Sequence, residues 1–176
     1  MSKAIDSARA LNIAIMTVSD TRAEHNDTSG DYLAAAAQAM GHRVCARQIV
    51  IDDIYRIRAV LSQWIADPDI NAVITTGGTG FSGRDSTPEA VAVLFDKSID
   101  GFGELFRAVS FEEIGTSTIQ SRALAGLAND TVIFCLPGST SACRTGWEKI
   151  ICSQLDSTHR PCNFVGVLQT RNRSEH

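Results

Sequence analysis

The stretch from Ala72 to Ala90 constrains this chain more than any other part of it. Ala72 to Thr76 is a short apolar, β-branched run, which is the form of a buried strand. It leads directly into Gly77-Gly78-Thr79-Gly80. After Asp85-Ser86, the pair Thr87-Pro88 offers an N-cap and an N1 proline for a helix. Strand, glycine loop, helix is the order that builds an anion site. Glycines permit positive φ and bring backbone N–H groups close to a ligand, and the helix N-terminus adds a favourable dipole. The competing reading is an ordinary tight turn. Four turn residues at the carboxyl end of a strand, where open α/β sheets bind their ligands, favour the anion site.

Around this segment, β-branched runs alternate with helical periodicity, which predicts a mostly parallel sheet flanked by helices, an α/β fold. Asn12 to Val18 is expected as the first strand and Val44 to Val50 as the second. Asp27-Thr28-Ser29 offers caps to a helix over Tyr32 to Met40, closed by Gly41. Ile54, Ile57, Leu61, Trp64 and Ile65 share a helical face behind the capping candidates Asp52 and Asp53, with Pro68 beyond. Gly101 to Phe111 and Thr116 to Ala125 are expected to be helical. Asn129-Asp130 marks a turn before the strand Thr131 to Leu136, and Thr140 or Ser141 caps a last helix toward Leu155. Gln169 to His176 is polar and basic and is expected to fray, leaving a core from about residue 12 to 164 within one domain spanning 1–176.

Composition narrows the partners. A net charge of −4 over 176 residues does not supply the clustered cations that a nucleic-acid face needs. Five cysteines without a CxxC pair suggest neither a disulfide framework nor a zinc site, and reduced thiols fit a cytoplasmic location. No apolar run approaches the length of a membrane span, and Ile13 to Val18 is too short for a signal peptide. The four histidines are scattered without metal-ligand spacing.

Three readings of the glycine loop compete on pattern. Gly78, Gly80 and Gly83 fit G-x-G-x-x-G, which would suit a nicotinamide-dependent oxidoreductase, but the polar segment 84–88 postpones the helix that should begin within those glycines. No GK[ST] follows, so a Walker loop is excluded. What remains is a phosphate cradle with nearby carboxylates. Asp85 lies in the loop and Asp52 at the end of another predicted strand, and magnesium needs only one or two carboxylates beside phosphate and water. Asp52 or Asp53 can instead cap a helix, and Asp85 can brace its own loop. Ser19-Asp20 and Pro137-Gly138-Ser139 end two further strands and would face the same crevice.

The segment TTGGTGFSGRDSTPEA, together with Thr17-Val18-Ser19-Asp20, Asp27-Thr28-Ser29-Gly30, Gly101-Phe102-Gly103-Glu104 and Leu136-Pro137-Gly138-Ser139-Thr140, resembles the molybdenum cofactor biosynthesis MoaB/MogA family, close to its B-type branch. The resemblance covers Asn12 to about Phe164. It implies a MogA-like three-layer fold, assembly as a homotrimer or homohexamer, and binding of molybdopterin. In active relatives, ATP and magnesium serve to adenylylate the molybdopterin phosphate before a partner protein inserts molybdate. Carried over by motif, Thr76, Gly77, Gly78, Thr79 and Gly80 form the phosphate loop, and Asp85 and Asp52 are the catalytic, metal-holding acids. Ser19, Glu104, Pro137, Gly138 and Ser139 are further ligand contacts under the same resemblance. A non-catalytic molybdopterin-binding or assembly module is the alternative.

Overall fold

A computed structural model describes residues 7–168. The expected tail Gln169 to His176 lies outside that range. Six strands form one sheet in the order β2-β1-β3-β6-β5-β4, where β1 is Asn12–Val18, β2 Arg43–Val50, β3 Ala72–Thr76, β4 Lys97–Ser98, β5 Leu124–Ala128 and β6 Thr131–Leu136. The first four in that order, apart from the numbering, run parallel: β1 pairs with β2 and β3, and β3 with β6. β5 and β4 add an antiparallel edge.

Period-two alternation builds the layers. Ile13 and Ile15, Ala72 and Ile74, and Val132, Phe134 and Leu136 face one core beneath α1 (Thr28–Ala39), while Ala14, Met16, Val73, Ile133 and Cys135 face the other. The second core lies under α2 (Ile54–Ala66) and α3 (Thr87–Val91). On the first face, α4 (Asp100–Ile114) contributes Phe102 and Phe106, and α5 (Thr140–Gly146) contributes Cys143. A π-helical turn, Trp147–Ile151, continues α5 into α6 (Cys152–Gln154). Among the described residues, no helix is long and apolar enough to cross a membrane.

Two sequence expectations are corrected. Thr116 to Ala125 is not helical throughout: a 3-10 turn over Gly115–Gln120 precedes the strand β5. The last helix is capped by Ser139, whose Oγ accepts from the Ala142 amide at 3.1 Å, rather than by Thr140 or Ser141. The cap of α2 is Asp53, which accepts from the amides of Tyr55 at 3.0 Å and Arg56 at 2.9 Å, so Asp52 is left for another use.

Candidate functional site

The carboxyl ends of β1, β3 and β6 come together on one edge of the sheet, and the connections leave β1 and β3 toward opposite faces. That arrangement opens a crevice at the strand ends. Gly77 turns the chain there with φ +102°, and its amide donates to the Leu136 carbonyl at 3.0 Å. A Cβ on Gly77 would stand 2.1 Å from the Val18 carbonyl oxygen, so this close approach requires glycine. Gly78 follows at φ +67°, where a Cβ would meet Thr87 Oγ1 at 2.4 Å and Asp52 Oδ2 at 2.8 Å.

The beginning of α3 is tied to this loop. Thr87 does not cap the helix as the sequence suggested: its hydroxyl donates to the Gly77 carbonyl at 2.8 Å, and its amide donates to the Gly78 carbonyl at 2.9 Å. Arg122 braces the loop from the β5 side. It donates from Nε to the Gly80 carbonyl and from Nη2 to the Asp85 carbonyl, both at 2.8 Å, pairs with Glu89, and lies over the Phe81 ring. Nothing in the local sequence pattern marked Arg122, because its targets are more than thirty residues away.

Both acids of the candidate site flank the glycines. Asp52 is buried, and its Oδ1 accepts from the Ser86 amide at 2.9 Å and from the Ser86 hydroxyl, which leaves Oδ2 against Gly78. Asp85 Oδ2 accepts from the Ser82 amide at 2.7 Å and lies 2.7 Å from the position of a Cβ on Gly80. Burial alone would raise the Asp85 carboxyl, but hydrogen bonds from Ser82 and Gly80 and the charge of Arg122 outweigh it and hold the group below its usual value. Asp20, expected at the crevice beside Ser19, accepts from the Asp52 amide at 3.0 Å and pairs with Arg84, contacts that the sequence did not mark.

A cavity of about 580 Å³ joins these elements, within the range of small-molecule sites. Ser19, Thr76, Gly77, Gly78, Thr79, Gly80, Asp52, Asp85, Pro137, Gly138 and Ser139 all line it. Glu104 does not. It is exposed near the start of α4, in a smaller depression with Arg107 on the antiparallel side of the sheet. Ser19 Oγ accepts from the amides of Thr21 and Arg22 at 3.2 and 3.0 Å, so it shapes its own turn as well as the cavity wall. Thr76 is committed to the Pro137 carbonyl at 2.9 Å and also approaches Cys143 Sγ.

The far wall comes from α4 and α5. Phe106, Ser110, Glu113 and Ile114 form a helical stripe along α4, and Ser141, Ala142 and Thr145 form one along α5. Beneath them, burial pushes the Cys143 thiol up to about 11, so it serves as a neutral hydrogen-bonding group and not as a nucleophile. The third glycine of the dinucleotide pattern, Gly83, meets nothing within 4 Å, so it does not perform the helix-packing role that pattern requires. The arrangement can hold an anion on loop amides beside two carboxylates, in a cavity walled on its far side by α4 and α5.

Comparison with known proteins agrees with this fold. A family model described as a probable molybdopterin binding domain matches residues 14–157. Molybdenum cofactor biosynthesis protein B of Escherichia coli (strain K12) is 59% identical over 152 residues, covering 86% of this chain and 89% of that relative. A crystal structure of a molybdenum cofactor biosynthesis protein B superimposes with a TM-score of 0.83 at 41% identity, covering 85% of this chain and 94% of that one. The tungsten cofactor synthesizing protein MoaB from Pyrococcus furiosus superimposes with a TM-score of 0.76 at 37% identity, with 85% and 94% covered.

Proposed function

This chain belongs to the molybdenum cofactor biosynthesis MoaB/MogA family, and from that membership we propose that it binds molybdopterin and adenylylates it with ATP and magnesium. The observation that carries the proposal is the convergence of two carboxylates on the glycine loop: Asp52 Oδ2 and Asp85 Oδ2 flank Gly78 and Gly80, within 2.8 and 2.7 Å of where a side chain would begin.

The donor set suits magnesium. Asp20, Asp27, Asp52, Asp85 and Glu113 line the cavity against two cations, Arg22 and Arg84. A polyphosphate would be repelled by that balance unless a divalent ion offset it. One or two carboxylates together with the ligand's own phosphates and water suffice to hold such an ion. When bound, magnesium would neutralise charge on the ATP phosphates, with Asp52 and Asp85 holding it.

The chain's residues then do three things. The amides of Gly78 and Thr79 bind the phosphate of molybdopterin, the N-terminus of α5 capped by Ser139 orients a second anionic group, and the clasped loops keep both in one cavity. A molybdopterin phosphate oxygen attacks the α-phosphorus of ATP, the new phosphoanhydride bond forms, and pyrophosphate leaves. A phosphate oxygen is already ionised, so no general base is required. A homotrimer or homohexamer and a molybdate-inserting partner protein belong to the same proposal.

Incubation with molybdopterin, ATP and magnesium should yield adenylylated pterin and pyrophosphate in equal amounts. Binding of molybdopterin with no pyrophosphate release, under conditions where an active relative turns over, would leave a non-catalytic binding module and refute the transfer step. Nicotinamide dinucleotide should not bind.

A further inference from the structure

The wall of the cavity away from the glycine loop carries a carboxylate that the transfer reaction does not use. Glu113 lies near the end of α4 and faces the cavity, opposite α5. The Thr145 hydroxyl, itself buried, approaches Glu113 Oε2 at 2.8 Å, Oε1 at 3.1 Å and the Ser141 carbonyl at 3.1 Å. That hydroxyl has one proton, so it can donate to only one of them. Among the described residues no lysine, arginine or histidine pairs with Glu113. A carboxylate accepts about four hydrogen bonds, so Glu113, which is exposed, can accept from a ligand in the cavity beside the Thr145 contact.

Its position relative to the phosphate loop has a definite chemical meaning. Ser139 marks the N-terminus of α5 at the phosphate end, and Thr145 is six residues farther on, about 9 Å along the helix axis at 1.5 Å per residue. A bicyclic pterin bearing a short phosphorylated side chain has a comparable reach. Its outer edge is a 2-amino-4-oxopyrimidine, which presents the ring N3–H and the exocyclic amine side by side. A carboxylate accepts from two adjacent donors in parallel, the geometry of the strong bidentate pair. Adenine offers one donor with an acceptor nitrogen beside it, which a carboxylate repels.

We propose that Glu113, oriented by Thr145, reads the amino-oxo edge of the pterin and so sets the ring specificity of the site. The proposal rests on the molybdopterin reading above and deepens it. Glu113 is a specificity residue and takes no part in phosphoryl chemistry. Thr145 is a positioning residue.

The test uses the full-length chain, titrated with a phosphorylated 6-hydroxymethylpterin and with the corresponding lumazine, in which an oxo group replaces the 2-amine; ligand fluorescence reports binding. The wild-type chain should prefer the pterin by roughly tenfold or more, the loss of one charge-assisted hydrogen bond. Glu113→Gln should weaken pterin binding by a similar factor and abolish the preference, with the thermal midpoint unchanged. Thr145→Val should reduce the preference, and Thr145→Ser should retain it. A Glu113→Gln chain that keeps the wild-type preference overturns the inference while leaving molybdopterin binding intact. A wild-type chain that binds no pterin overturns the functional reading itself, and the inference with it.

Discussion

Arg84 donates to both carboxylate oxygens of Asp20, from Nε to Oδ2 at 2.8 Å and from Nη2 to Oδ1 at 2.7 Å, and so clasps the loop after β1 to the loop after Gly80 across the mouth of the cavity. The same Oδ1 accepts from the Asp52 amide at 3.0 Å, which ties the clasp to the acid at the centre of the site. The Arg84 hydrogen bond, followed by that of the Asp52 amide, holds the Asp20 carboxyl below its ordinary value of 3.8. A depressed carboxyl stabilises the fold above its unfolded pKa and loses that contribution as pH falls through the folded one. Asp20→Asn should therefore lower the thermal midpoint near neutral pH, and the difference from wild type should shrink below about pH 4. Both side chains are exposed to solvent, so the difference should also shrink in high salt. A gap that persists under acid conditions would show that the clasp is not ionic in origin.

Gly77 and Gly83 should respond oppositely to alanine. At Gly77 an added Cβ meets the Val18 backbone oxygen at 2.1 Å and must adopt φ +102°, so Gly77→Ala should cost several kcal/mol, on the order of 3 or more, and remove ligand binding. At Gly83 nothing lies within 4 Å and φ is not positive, so Gly83→Ala should be neutral or stabilise by about 0.5 kcal/mol through the unfolded chain. Denaturant melts of the two variants decide the matter. If Gly83→Ala abolished binding, the third glycine of the dinucleotide pattern would have a role after all.

The contrast between these glycines reflects what could be seen in the sequence. The strands β1, β3 and β6 and the turn at Gly41 were legible because buried parallel strands carry runs of β-branched residues with glycine or polar punctuation. β5 was not, because Leu124-Ala125-Gly126-Leu127-Ala128 is made of helix formers around one glycine. Its strand state is imposed by pairing with β6 and by Gly126, where a Cβ would meet the Phe95 ring at 2.3 Å. The glycine loop and both acids were legible from their spacing. Arg122, the Asp20–Arg84 clasp and Glu113 were not, since each acts on a partner at least thirty residues away and no local periodicity records such a contact.

Asp52 and Asp85 should separate chemistry from binding. Each accepts backbone hydrogen bonds, which an asparagine oxygen can still do, so Asp52→Asn and Asp85→Asn should fold. Removal of one negative charge beside the phosphates should reduce magnesium-dependent pyrophosphate release by about 100-fold, or about 2.7 kcal/mol, with a smaller effect on molybdopterin affinity. Kinetics across a magnesium titration check this. Full turnover in both variants would remove the acids from the mechanism.

Association should involve the apolar side chains that this chain exposes on α4 and the turn after it. Phe111 is 56% exposed and Ile119 71%, a large apolar area for a free surface. Light scattering should report a homotrimer or homohexamer, and Phe111→Ser with Ile119→Ser should shift it toward the monomer. A monomeric wild-type chain, or an unchanged mass in the double variant, would exclude these residues from an interface.

The two-residue connection between β5 and β6 places Asn129 and Asp130 at φ +49° and +61°, the geometry of a primed hairpin turn. Asn129 is held there by its contacts: its amide donates to Asp96 Oδ2 at 2.7 Å and its Nδ2 to the Ile65 carbonyl at 2.9 Å. Asp130 occupies the left-handed region that glycine enters without a Cβ penalty. Asp130→Gly should therefore stabilise the hairpin by about 0.5 to 1 kcal/mol, raising the thermal midpoint by roughly 2 °C, whereas Asn129→Gly should destabilise because it removes the Nδ2 bond to the Ile65 carbonyl, although the backbone N–H that meets Asp96 remains. Calorimetry of the two variants checks the signs. Equal effects would mean that the turn is governed by backbone propensity alone, and that the tie from Asn129 to α2 and the segment before β4 contributes nothing to the antiparallel edge of the sheet.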